Sequence, residues 1–125
     1  MDHSVIILGA QKLLGIKNPV DIRMTTGKLK GKKQIAGWYE ARYRKNRIIR
    51  HVVFINLRII IESKYSLTDV IAHEIVHAAQ FEYGIFDENK HHDSRFIALC
   101  EYLQKELRKM GVILGELYNP AIDTD

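Results

Sequence analysis

Ser66-Leu67-Thr68-Asp69-Val70-Ile71-Ala72-His73-Glu74-Ile75-Val76-His77 is the stretch around which this chain is organised. Ser66-Leu67-Thr68-Asp69 resembles a capping box with Asp in place of Glu, and Gly84 supplies a stop, so the spacing predicts a helix from about Leu67 to Tyr83. At about 100° per residue, Ile71, Ile75 and Ala78 fall on one side of it, with His73 and His77 nearly opposite. The helix should pack through the first face and present its histidines on the other. One turn apart, two imidazoles can each put a ring nitrogen on one zinc ion while Glu74 projects beside them toward a bound water, which is the layout of a zinc peptidase. Chance would place an HExxH motif about 0.02 times in a chain with this His and Glu content, so the motif carries weight once its surroundings agree.

A catalytic zinc site has three protein ligands and an open fourth position, so a third ligand must come from elsewhere. The later histidines are His91 and His92, placed after a short loop, Gly84 to Lys90, and just before a second helical pattern. Phe96, Leu99, Cys100, Leu103, Leu107 and Met110 recur at the spacing of a buried stripe. Two antiparallel helices joined by that loop would bring either histidine toward the motif.

Upstream, Ser4 to Leu14 predicts a first helix with Ser4 as N-cap and Gly15 beyond its end. Val20 to Met24 reads as a short strand, and Thr25 to Lys33, with Gly27 and Gly31, as a mobile basic loop. Gln34 to Arg44 and Arg47 to Leu57 are rich in β-branched and aromatic residues and are separated by Lys45-Asn46, which predicts a hairpin. Ile49, His51, Val53, Ile55 and Leu57 would share one largely apolar face, as would Ile35, Tyr39, Ala41 and Tyr43; Trp38, Glu40, Arg42 and Arg44 would lie opposite. Ile59 to Ile61 would extend the second strand or begin another. The expected class is α+β: an N-terminal helix, a small antiparallel three-stranded sheet, the HExxH helix and a second, C-terminal helix.

With 125 residues, 46% hydrophobic and 27% charged, the chain suits one domain, residues 1–125, with a real core. Met1-Asp2-His3-Ser4 lacks the positive start of a signal peptide, and no apolar run has membrane-spanning length, so the expectation is a soluble, intracellular protein that is not secreted and has no membrane partner. Cys100 is the only cysteine, which leaves histidines and carboxylates to hold any metal and makes Cys100 a core residue. Charge is divided unevenly. Residues 1–65 carry 14 Lys/Arg against 4 Asp/Glu, and residues 66–125 carry 5 against 11. Lysines such as Lys28, Lys30, Lys32 and Lys33 usually form a solvated loop; a polyanion is the sharper reading.

His73-Glu74-Ile75-Val76-His77, followed after 14 residues by His92-Asp93-Ser94-Arg95-Phe96, resembles the SprT-like metallopeptidase family, which includes the Spartan proteases. Asp69-Val70-Ile71-Ala72 and Val53-Phe54-Ile55-Asn56 also resemble that family's approach to its active site, over about residues 34 to 105. The resemblance implies a zincin-like fold with one zinc ion held by His73, His77 and His92. His92 is preferred to His91 because Phe96 sets the register. Glu74 would be the catalytic base that activates the zinc-bound water. Asp93 stands where the family usually has glycine, and without paired cysteines the chain is expected to be the core domain, lacking the zinc ribbon of many relatives.

Three neutral imidazoles leave zinc doubly positive, able to lower the pKa of water toward about 7 and to polarise a carbonyl. Glu74 would take the water's proton and pass it to the leaving amine. A peptide substrate would add to an exposed sheet edge through main-chain hydrogen bonds, with Tyr83 and Tyr102 as candidates near the oxyanion. Spartan-like relatives degrade proteins crosslinked to DNA. That implies a protein substrate on or near DNA, held without sequence specificity by Arg42, Arg44, Lys45 and Arg47, with Trp38 stacking on an unpaired base. The competing readings are a nucleic-acid-binding module braced by a structural metal, and a zinc peptidase unrelated to DNA.

Overall fold

The hairpin forms where the sequence places it. Strands β2 (Gly37–Arg44) and β3 (Arg47–Asn56) are joined by Lys45 and Asn46, both in the left-handed region at φ 50° and 65°. Two consecutive positive φ values match the right-handed twist of the flanking strands, and Asn tolerates that conformation well. The computed structural model describes residues 3–27, 35–115 and 117–124. Lys28 to Lys33 of the predicted basic loop, and Gln34, lie outside the described residues.

The sheet corrects the expected topology. Strand β1 (Val20–Thr25) pairs with β3 in parallel, Val20 opposite His51 and Thr25 opposite Asn56, while β2 pairs with β3 antiparallel. The order is β1-β3-β2, a mixed three-stranded sheet. Alternation reports which face a residue takes and says nothing of the direction of the neighbouring strand, so the antiparallel expectation had no local signal behind it. Central β3 is buried on both faces near its end: His51, Val52, Val53, Ile55 and Asn56 are buried, which explains a run that does not alternate.

Ile59 to Ile61 belong to a helix, not a strand. Asn56 Oδ1 accepts from the backbone N–H of Arg58 and Ile59, ending β3 and starting α2 (Leu57–Ser63), which closes on Lys64 in the left-handed region. Ile59 and Ile60 are buried while Ile61 is exposed, the pattern of a helix rather than of a strand, in which Ile59 and Ile61 would share a face. The cap overrode the β propensity of three isoleucines.

Helix α1 (His3–Leu13) begins before Ser4, which is therefore inside it rather than its cap. Helix α3 (Leu67–Glu82) starts at Ser66, whose hydroxyl accepts from Asp69 N–H, and stops at Tyr83 and Gly84, φ +67°. Every residue from Asp69 to Gln80 is buried. The sheet packs on one side through β2 and β3, while α1 and α4 (Ser94–Lys109) pack on α3 as well, so the face expected to be open is covered. Phe96, Cys100, Leu103 and Leu107 form the buried stripe of α4; Met110 lies past its end and is exposed. Residues 112–115 and 117–124 return across the molecule, burying Val112, Leu114, Leu117 and Ile122, and the latter contain a one-turn 3₁₀ helix, Pro120–Ile122. No described helix is long and apolar enough to cross a membrane.

Candidate metal centre

His73 and His77 project from successive turns of α3, and both are buried. Their Nδ1 atoms are already committed. His73 Nδ1 lies 2.7 Å from the Leu117 carbonyl, and a carbonyl only accepts, so Nδ1 carries the hydrogen and a neutral ring leaves a bare lone pair on Nε2. His77 Nδ1 meets Gln80 Oε1 at 2.6 Å, and the amide Nε2 of Gln80 donates to the His91 carbonyl at 3.3 Å. Gln80 thus orients one ring of the motif helix and ties down the loop that carries the third.

That third ring is His92. Asp93 caps α4 at φ −77°, a conformation open to any residue, its carboxylate accepting from Arg95 and Phe96 N–H and pairing with the Arg95 guanidinium. The departure from glycine therefore serves as a helix cap. The capped register places Phe96 against all three rings, with centroids 4.9, 4.6 and 4.9 Å from those of His73, His77 and His92. His92 Nε2 lies 3.3 Å from His73 Nε2. His91 turns away, exposed, against the Phe86 ring.

A fourth donor completes the group. The Asp123 carboxylate lies 3.0 Å from His73 Nε2, 2.9 Å from His77 Nε2 and 2.9 Å from His92 Nε2. All four donor atoms fall within 4.8 Å of one another, so His73, His77, His92 and Asp123 can hold a metal ion. Tetrahedral ligands at about 2.0–2.1 Å from zinc sit roughly 3.4 Å apart, close to the spacing found. Their chemistry suits a cation: at His73 and His77 a carboxylate facing the bare lone pair of a neutral ring sets acceptor against acceptor. Protonating the rings instead is opposed at His77, where burial lowers the imidazole pKa despite Asp123. Burial raises the Asp123 carboxyl; only hydrogen bonds from rings that carry a proton on Nε2, or a cation in the place of those protons, outweigh it and hold the group well below the usual carboxylate range.

Glu74 lies at the edge of this group, Oε2 4.0 Å from His73 Nε2, fully buried, with neither oxygen meeting a hydrogen-bond donor among the described residues. Burial, then the Asp123 charge, pushes its carboxyl well above the ordinary range. Gly37 of β2 passes directly over it; a Cβ there would lie 2.8 Å from Glu74 Oε2. A cavity of about 220 Å³ opens beside the carboxylate, lined by Trp38, Tyr39, Glu74, His77, Phe81, Phe86, His91 and Asp123. Asn56 N–H bonds to the Ala36 carbonyl, so in an antiparallel register the backbone groups of Gly37, Tyr39 and Ala41 point away from β3, toward the free edge of the sheet.

A model of the SprT-like family matches residues 18–114. The chain belongs to the SprT-like family. No curated protein and no solved structure matches it. Within this SprT-like domain the matched residues contain the motif, His92 and Phe96, whereas Asp123 lies beyond them. Asp123 stands 50 residues from His73 and 31 from His92 in sequence, so no spacing rule pointed to it. Gln80, one turn after His77, carried a weak signal as a polar residue within a buried stretch.

The remaining candidates are spread apart. Trp38 lines the cavity and donates from Nε1 to Glu40 at 3.3 Å; Arg42 pairs with Glu40 at 2.5 Å. Arg44, Lys45 and Arg47 are exposed at the hairpin tip, six residues or roughly 20 Å along β2 from Trp38. Tyr83 donates to the Leu14 carbonyl, and Tyr102 is exposed on α4. Neither lines the cavity. Tyr39 does line it, while its hydroxyl bonds His51 Nδ1 at 2.5 Å, and His51 Nε2 bonds Glu82 at 2.8 Å. That buried chain ties β2 and β3 to the end of α3.

Proposed function

We propose that this SprT-like domain is a zinc-dependent peptidase that hydrolyses peptide bonds of proteins associated with, or crosslinked to, DNA, with His73, His77 and His92 as ligands and Glu74 as base. The observation that carries the reading is Glu74: a carboxylate buried without a donor beside a metal-binding group is costly unless it serves a reacting water and amine. Bound zinc would supply a Lewis acid for the scissile carbonyl. Glu74, whose carboxyl burial pushes up in the metal-free protein, loses that bias beside a dication, takes a proton from the attacking water and returns it to the departing nitrogen. An extended substrate strand pairing with the outward groups of Gly37, Tyr39 and Ala41 would run past this carboxylate. The cavity walls of Trp38, Phe81 and Phe86 offer an apolar seat for a neighbouring side chain.

The DNA part of the proposal is supported by the exposed Arg44, Lys45 and Arg47 at the hairpin tip. The structural-metal reading draws on one observation, the four-donor closure by Asp123, because structural zinc sites are closed. The deciding experiment compares zinc-loaded wild type and Glu74→Gln on an unfolded protein substrate, with and without single-stranded DNA, over a salt series. Cleavage by wild type alone, enhanced by DNA at low salt, is expected. Equal inactivity of both proteins with zinc bound would sink the peptidase reading, and cleavage indifferent to DNA would remove the nucleic acid from it.

A further inference from the structure

We propose that Asp123 is a fourth protein ligand of the metal, and that the segment carrying it keeps the site closed until substrate displaces it. The inference rests on the peptidase reading above and adds a state of that site which residues 18–114 do not contain.

Asp123 is held in place from several directions. Ile122 is buried in the core, and its carbonyl accepts from Ala36 N–H at 2.7 Å. Asn119 Oδ1 caps the 3₁₀ turn through Ala121 N–H at 3.0 Å. The carboxylate then reaches all three Nε2 atoms at 2.9–3.0 Å. With Nδ1 of His73 and His77 spoken for by Leu117 and Gln80, the Nε2 atoms of those two neutral rings face Asp123 as lone pairs, an arrangement that a shared cation satisfies. Three imidazoles and one carboxylate fill a tetrahedral shell and leave no position for water.

Closure conflicts with Glu74, which stays buried and undonated beside the filled shell, while Asp123 walls the cavity where substrate would enter. Displacing Asp123 resolves both features at once. The displaceable unit has a defined start. The Leu117 carbonyl orients His73 and must stay, whereas Tyr118, next in the chain, is half exposed. The moving part is therefore residues 118–124, held by Ile122, the Ala36 bond and the metal itself. An incoming strand at the β2 edge competes for the same ground, because Ala36 immediately precedes Gly37.

The test uses the full chain as wild type, Asp123→Asn, which keeps the shape, and Asp123→Ala. With cobalt(II) in place of zinc, azide should leave the wild-type visible spectrum unchanged and shift that of both variants, since only they have a free position. Zinc affinity by chelator competition should fall roughly tenfold to a hundredfold in the alanine variant. The zinc forms of both variants should cleave an unfolded protein severalfold faster than wild type. An equal azide response in all three proteins with equal zinc affinity overturns the proposal. A closed wild-type spectrum, opened by the variants, with no cleavage by any of the three, keeps Asp123 as a ligand and removes the peptidase reading and the displacement with it.

Discussion

Replacing Gly37 by alanine places one methyl group where the strand and the motif helix already touch. The new Cβ would lie 2.8 Å from Glu74 Oε2 and 3.0 Å from both Glu74 Cγ and Val70 Cγ1, against an ordinary contact of at least 3.4 Å. Something must move by about 0.6 Å at the carboxylate and about 0.4 Å at Val70. Glu74 and Val70 are both fully buried, so neither can swing into solvent. Overpacking of this kind costs about 1–3 kcal/mol, or a melting temperature lower by roughly 4–12 °C for a domain of this size. Chemistry should suffer more than binding, because a displaced proton acceptor loses roughly tenfold in turnover for a shift approaching 1 Å. The contacts that orient the histidine rings, from Phe96, Leu117 and Gln80, do not come from β2, so zinc affinity should fall by a smaller factor than turnover. Thermal melts, chelator competition and single-turnover cleavage measure the three effects separately. Wild-type melting and wild-type turnover in Gly37→Ala would refute the claimed closeness of β2 to Glu74.

Other perturbations follow from the same contacts. Gln80→Ala removes the acceptor that fixes His77 Nδ1 and the tie to the His91 carbonyl, and chelator competition should show zinc binding weakened about 10- to 100-fold. His92→Ala should abolish tight zinc binding while His91→Ala keeps it, and the reverse outcome in the same titration would reassign the third ligand. Glu74 has its pKa raised by folding, so its own contribution to the stability of the metal-free fold is full below the ordinary carboxylate range and is lost as pH rises from there toward the raised value. Metal-free Glu74→Gln escapes that loss. Its stability relative to wild type should therefore increase as pH rises from the ordinary carboxylate range toward neutrality, and denaturant titrations showing no pH-dependent gap between the two proteins would contradict the burial argument.

Local signals foretold the parts whose causes are local. Ser66 and Gly84 bounded α3 because a side-chain oxygen and a residue free to take positive φ act within one turn. Lys45-Asn46 made the hairpin turn for the same reason. The HExxH spacing put His73 and His77 on one side of a helix; the preference for His92 over His91 came from the family resemblance, through the register of Phe96, and the fold brings His92 into the same group. Where a local cue was misread, as at Ile59-Ile60-Ile61, the determining residue was the preceding Asn56, whose cap outweighed the propensity of what followed.

What required tertiary structure depends on elements far apart in sequence. The parallel placement of β1 on β3, the cover over the histidine face of α3 and the approach of Gly37 to Glu74 are set by packing, which leaves no periodic trace. Asp123 is the extreme case. By itself, the sequence determined that two histidines and a glutamate share a helix, because helical spacing is a property of the backbone. Only the fold decided that a carboxylate 50 residues away would meet those histidines, because burying Leu117 and Ile122 in the common core is what carries it there.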